Sequence, residues 1–269
     1  MKKILLVGCG HMGEALLNSW LKSNNYHIAI IDPIKYRYLK NKYKNKHIQI
    51  AKSFSNLNKF FDADFIIFAV KPFDLKKVLV DFSDAKFKES TTVISVIAGK
   101  RIKEFKNKLK KIKYFFRVMP NLPASIGESM NCITSNKNMS NFRKNQVLKI
   151  FNYSGRTLYL KDENEIDMAT AISGSGPGYV FNLIDAMEKA AIELGFNKYI
   201  ARTLVLQTFK GSVNLIFNSK MSAKDMVNSV ATKGGTTEAG LKVMNKNNLH
   251  KLFLQLTSEA FKKAKEQGK

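Results

Sequence analysis

The chain has 269 residues, 45% of them hydrophobic, which is enough for one large domain or two of ordinary size, each with a packed core. Two cysteines and four scattered histidines exclude a disulfide framework and offer no metal-ligand spacing, and no apolar run approaches the roughly 18 residues of a membrane helix. The formal charge of +24 comes from 45 basic residues spread along the chain rather than gathered in one stripe, so neither a nucleic-acid partner nor a membrane partner is expected.

In chain order, Met1-Lys2-Lys3 and the apolar Ile4-Leu5-Leu6-Val7 mimic a signal peptide. The apolar stretch falls short of a signal core of roughly 7–15 residues and runs into a glycine loop, so residues 3–7 read as a strand. Cys9 and Cys132 then read as reduced thiols of a cytoplasmic protein. The loop Gly8-Cys9-Gly10-His11-Met12-Gly13 is followed by helical spacing over 11–22. A second apolar run, 27–31, ends at Asp32, 19 residues after Gly13. Further strands are expected over 47–50, 64–70 and 91–97, with helical patterns over 74–82 and 102–109 between them. The lysine-dense stretches 35–46 and 100–113 read as solvated helix faces and loops. Strands over 114–118, 131–134 and 157–160 extend the series. The alternation predicts an α/β, Rossmann-type doubly wound sheet covered by helices over residues 1–160.

After the acidic turn Lys161-Asp162-Glu163-Asn164 the pattern changes. Helices are expected over 162–172, 176–194, 198–219, 222–230, 235–244 and 249–265, giving an all-α domain over 161–269. Its apolar positions, among them Val180, Ile184, Met187, Leu204, Val205 and Phe209, are buried either within the domain or against a partner.

Several motifs carry chemistry. In the G-x-G-x-x-G loop, Gly8 permits a tight turn, Gly10 admits a pyrophosphate and Gly13 lets the helix pack on the strand. Asp32 is placed to accept hydrogen bonds from ribose hydroxyls and to repel a 2′-phosphate, unless Lys35 and Arg37 compensate. The alternative role for Asp32 is a turn or cap. Ala69-Val70-Lys71-Pro72 ends the central strand, so Lys71 meets ribose or phosphate, or is a plain surface lysine. Asn121, after Met119-Pro120, faces the nicotinamide or serves the turn. Ser173-Gly174-Ser175-Gly176-Pro177 opens the long helix, with Ser175 suited to a cap and small residues suited to close approach. The most informative stretch is Thr232-Lys233-Gly234-Gly235-Thr236-Thr237. Backbone N–H groups of a Gly-Gly turn at a helix start hold a carboxylate, and two hydroxyls reach a polar atom beside it.

Taken in this order, these motifs resemble those of the pyrroline-5-carboxylate reductases. The resemblance spans nearly the whole chain, and the serine-glycine and Gly-Gly-Thr-Thr motifs found together are specific to that family. It implies a Rossmann domain followed by a helical dimerisation domain, and a homodimer or a higher assembly of dimers. It implies NADPH- or NADH-dependent reduction of the cyclic imine Δ1-pyrroline-5-carboxylate to L-proline. Thr237 would be the catalytic residue, on the ring nitrogen. Thr232, Gly234, Gly235 and Thr236 would hold the substrate carboxylate, with Glu163 and Ser229 nearby. The cofactor would lie against Gly8, Cys9, Gly10, His11, Met12, Gly13, Asp32, Asn56, Ala69, Val70, Lys71, Pro72, Ala98 and Asn121. The chain departs from the family pattern at Asp32, Phe73, Leu122, Ser229 and Lys233. A β-hydroxyacid dehydrogenase shares the two-domain plan, but its catalytic lysine has no counterpart here, where no lysine follows Pro177 before Lys189. A basic, non-catalytic binding protein is the third reading, and the anion cup argues against it.

Overall fold

A computed structural model describes residues 1–268 except 24, 45, 58–61, 84 and 137–138. Eight strands form one sheet: β1 (Lys2–Val7), β2 (Tyr26–Ile31), β3 (Ile48–Ala51), β4 (Phe65–Phe68), β5 (Thr92–Ser95), β6 (Tyr114–Met119), β7 (Ser129–Ser135) and β8 (Gly155–Tyr159). Their order is β3-β2-β1-β4-β5-β6-β7-β8, and every pairing is parallel except β6 with β7. The order reverses between β1 and β4, which makes that pair the switch point of a doubly wound sheet.

Helices α1 (His11–Leu21), α2 (Tyr36–Lys42), α3 (Leu75–Ser83), α4 (Ile102–Lys108) and α5 (Asn141–Asn152) connect the strands. They cover both faces, which is why Phe65-Ile66-Ile67-Phe68 is apolar at every position and wholly buried. One face packs Leu6, Ile30, Phe116 and Ile133 against Trp20 of α1 and Phe151 of α5. The Trp20 indole N–H, inside that layer, donates to the Ile150 carbonyl at 3.0 Å. The other face packs Leu5, Ile66 and Phe68 against Leu79 and Phe82 of α3 and Phe105 of α4.

Three local features differ from expectation. Helix α5 was not expected, because Asn141–Asn152 is mostly polar and buries only Val147, Ile150 and Phe151; the Ser140 side chain caps it by accepting the Arg143 N–H. β7 runs antiparallel because only residues 120–128 join it to β6; a parallel return needs a crossover of a dozen residues or more. The helix expected over 162–172 is α6 (Glu163–Ala169) followed by a π-helical turn, Thr170–Gly174. Ser175 has helical angles and donates its N–H to the Thr170 carbonyl at 2.8 Å, so it closes the π turn as its C-terminal cap.

The helices α7 (Gly176–Glu193), α8 (Lys198–Phe217), α9 (Ala223–Val230), α10 (Thr236–Lys246) and α11 (Leu249–Gln267) follow. The chain divides into two compact units, Met1–Ser175 with Ala260–Lys269, and Gly176–Glu259. Helix α6 belongs to the first unit, beyond the expected boundary at 160/161, because Ile166 and Asp167 are buried there. In the second unit, among the described residues, only Ala201 and Val205 are buried.

Buried charge fixes α6 to the sheet. Asp167 is fully buried; its two oxygens accept from Arg117 Nη2 and Arg101 Nη2, both at 2.7 Å. Arg117, on β6, is itself only 2% exposed. Deleting one partner of such a cluster strands a buried charge, at a cost of about 3–5 kcal/mol. Asp167→Ala should therefore lower the thermal midpoint by roughly 10 °C; calorimetry showing a shift below about 2 °C would contradict the assignment.

Candidate active site

The residues expected to hold a dinucleotide lie at the carboxyl ends of the parallel strands. Gly8 follows β1 with φ +89°, and its N–H donates to the Ile31 carbonyl at 2.8 Å. A side chain at Gly8 would come within 2.7 Å of Val70 and 2.9 Å of the Ala69 carbonyl. One at Gly13 would collide with the Gly8 carbonyl oxygen. At Gly10, by contrast, nothing lies within 4 Å of the place a side chain would take. The turn, the close packing and the open approach thus fall on the three glycines as the loop motif requires. Gly10 precedes α1 without any side-chain cap. The first N–H groups of α1, from His11, Met12 and Gly13, therefore remain for an anion at the positive end of the helix. This cradle fits the pyrophosphate of a dinucleotide.

Asp32, at the end of β2, is buried and bound by backbone. Its Oδ2 accepts the Cys9 N–H at 2.8 Å; its Oδ1 accepts those of Ile34 at 3.0 Å and Lys35 at 2.8 Å. The carboxylate ties the glycine loop to the β2–α2 turn, which is the turn role. Beside it, Glu14 of α1 gathers Lys35, Lys42, Tyr38 and Tyr43. Burial alone would raise the Glu14 carboxyl, but the hydrogen bonds from Lys42, Tyr38 and Lys35 outweigh it and hold it below the usual range. The Cys9 thiol is fully buried, and burial, then Glu14 and Asp32, pushes it up to about 12. It is a neutral packing group.

Ala69 and Val70 follow β4 half-buried against the glycine loop, while Lys71 and Pro72 are exposed. The Lys71 ammonium stands 5.6 Å from the Phe73 ring centre. Ala98 is half-buried after β5. Asn56 lies in the single turn Phe54–Asn56 after β3 and accepts from the Ser53 hydroxyl at 2.7 Å. Asn121 is engaged inside the fold: its amide donates to the Ser173 carbonyl at 2.9 Å and accepts the Met130 N–H at 2.9 Å. It fastens the β6–β7 connection to the π turn. A side chain at Gly174 would come within 2.9 Å of Met119, so the close approach in the serine-glycine motif is to that residue.

In the second unit, Gly234 has φ +76° and Gly235 is the cap of α10. Two of the N–H groups expected to hold a carboxylate are already used. That of Gly234 donates to Glu238 Oε2 and that of Gly235 to the Thr232 carbonyl, both at 2.9 Å. The free donors are one step further on, at Thr236, Thr237 and Glu238, the first turn of α10. The Thr236 and Thr237 side chains are exposed beside them, as is Thr232. Ser229, on α9, bonds back to the Met226 carbonyl at 2.8 Å. Glu163 is in the first unit, accepts the Ile102 N–H at 3.0 Å and stands 3.6 Å from Arg117 Nη1. Glu14, Glu238 and the Arg101–Arg117–Asp167 cluster were not singled out in the sequence. Glu238, three residues beyond the cap Gly235, and Glu14, just after the glycine loop, were visible as acids in a first helical turn.

Comparison with known proteins agrees with this geometry. Residues 163–267 match the family described as pyrroline-5-carboxylate reductase dimerisation. Residues 3–99 match that described as NADP oxidoreductase, coenzyme F420-dependent. Pyrroline-5-carboxylate reductase 2 of Bacillus subtilis is 32% identical over 275 residues, covering 99% of this chain and 95% of that one. The pyrroline-5-carboxylate reductase of Aquifex aeolicus is 29% identical, over 98% and 97% of the two chains. The crystal structure of Plasmodium falciparum pyrroline carboxylate reductase with NADP bound superposes with a TM-score of 0.85 at 30% identity, over 100% of this chain and 98% of that one. With these relatives along its whole length, the chain belongs to the pyrroline-5-carboxylate reductase family of NAD(P)-dependent oxidoreductases.

Proposed function

We propose that the chain reduces Δ1-pyrroline-5-carboxylate to L-proline, holding the substrate carboxylate on the first turn of α10 and the ring nitrogen on the Thr237 hydroxyl. The observation that carries this reading is the pair of open helix starts, one after Gly10 and one after Gly235, each with unpartnered N–H groups and neither with a side-chain cap. The first fits a pyrophosphate, the second a small carboxylate. NADH or NADPH supplies the hydride when bound. The protein's part is placement: the backbone of Thr236, Thr237 and Glu238 fixes the carboxylate, and the Thr237 hydroxyl orients and polarises the C=N bond. No carboxylate or histidine is assigned as a proton donor; solvent or an already protonated imine supplies the proton. By the family resemblance, Glu163 and Ser229 are further candidate contacts of the substrate.

The functional species is a homodimer or a larger assembly of dimers. An isolated unit of residues 176–259 that buries only Ala201 and Val205 lacks a core of its own. Val180, Phe181 and Met187 of α7 and Leu204, Val213 and Leu215 of α8 are all exposed in the single chain. Such contiguous apolar surface is buried in obligate partners.

Thr237→Ala should cut kcat with the imine roughly 10²-fold, with thermal midpoint and NADH binding unchanged. Unchanged turnover would remove Thr237 from the mechanism. Light scattering should return at least twice the 30.5 kDa chain mass at working concentrations; a folded, active monomer would overturn the assembly. The Cys9 thiol, held up to about 12, stays protonated through neutral pH. A thiol reagent at about pH 8 should therefore label neither buried cysteine until denaturant is added, and rapid labelling of the native protein would contradict that burial.

A further inference from the structure

The ribose end of the dinucleotide cleft carries an arrangement that the reaction itself does not require. Glu14 sits in the first turn of α1, on the helix whose start forms the pyrophosphate cradle. Lys35 follows Asp32 in the turn that closes β2, and its own N–H is held by the Asp32 carboxylate at 2.8 Å. The Glu14 carboxylate spans the two elements. Its Oε2 receives Lys35 Nζ at 3.2 Å, while its Oε1 receives Lys42 Nζ at 2.8 Å and the Tyr38 hydroxyl at 3.0 Å. The Glu14 side chain is only 14% exposed, so both ion pairs are partly shielded from water. Lys42 also contacts the Tyr38 hydroxyl at 2.9 Å, and both lysines stand over the Tyr38 ring.

The consequence is electrostatic. A 2′-phosphate on the adenosine ribose needs uncommitted cations at the end of β2. Of the basic side chains after Asp32, Lys35 and Lys42 are already matched by Glu14. Lys40 and Lys52 stand over the Tyr36 ring, so Arg37, exposed and without an ion-pair partner among the described residues, is what remains to offset the Glu14 and Asp32 carboxylates. Recruiting Lys35 to a phosphate would strip Glu14 of a partner and leave that carboxylate facing new negative charge. The Asp32 carboxylate adds to the same repulsion.

We propose that Glu14 is a specificity-determining residue: it withdraws Lys35 and Lys42 from the ribose turn, so that the cleft selects the nucleotide without a 2′-phosphate. The proposal rests on the dinucleotide reading of the glycine loop and not on the identity of the imine. Its test is calorimetric titration of the full-length protein with 5′-ADP and with 2′,5′-ADP, without cofactor or imine. Wild type should bind 5′-ADP at least about fivefold more tightly than 2′,5′-ADP. Glu14→Gln should tighten 2′,5′-ADP about fivefold or more and leave 5′-ADP within about twofold. Adding Lys35→Gln and Lys42→Gln to that variant should abolish the gain. Should Glu14→Gln fail to fold, Glu14→Ala takes its place with the same expected gain, and the wild-type ratio of the two affinities remains decisive. Tighter wild-type binding of 2′,5′-ADP, or an unchanged ratio in Glu14→Gln, overturns the proposal alone. No binding of either nucleotide overturns the dinucleotide reading with it.

Discussion

A parallel strand can be followed by another only through a crossover, so the carboxyl ends of successive strands collect along one edge of the sheet. The residues that fit a cofactor in this chain are brought together by that constraint. Gly8 after β1, Asp32 after β2, Val70 after β4 and Ala98 after β5 are far apart in sequence yet end on the same edge. At the switch point between β1 and β4 the packing is so close that side chains are excluded: Gly8 has no room beside Ala69 and Val70, and Gly13 none beside Gly8. Gly10 alone of the three loop glycines has open space where a side chain would stand, which leaves the backbone donors behind it accessible.

Carboxylates do the fastening in a chain that has 45 basic and 21 acidic residues. Asp32 binds three backbone N–H groups and joins two loops of the cleft. Asp167 clamps α6 between two arginines. Glu238 holds the Gly234 N–H and so secures the left-handed turn before α10, where Lys233 stands in place of the family's proline. In each case a negative group meets backbone dipoles or cations that the fold has already gathered, which is where a buried acid is least costly. The surplus lysines remain at the surface and favour approach of anionic substrates.

The parts of this molecule that were legible in the sequence are those set by backbone. Glycine spacing, apolar runs and small-residue turns located β1 to β6, the cradle and the start of α10, because each reflects a local steric rule. The parts that were not legible depend on partners distant in sequence. Helix α5 shows little periodicity, since it buries only three residues against the sheet. The π turn at Thr170–Gly174 is stabilised by Asn121 and Met119, about fifty residues earlier. Asn121 reads as a candidate ligand from its motif position and Glu163 from the family resemblance; their hydrogen bonds to Ser173 and to the start of α4 are not visible in the sequence. Likewise the Gly-Gly pair marked the start of α10, but its own N–H groups close the turn and leave those of the residues after it open.

On the function proposed above, two open helix starts serve one reduction. The most direct measurement is oxidation of NADH and of NADPH by the purified protein, with and without Δ1-pyrroline-5-carboxylate. Oxidation should depend on the imine, with L-proline formed in equal amount. Folded protein that binds nucleotide but oxidises neither cofactor in the presence of the imine would contradict it.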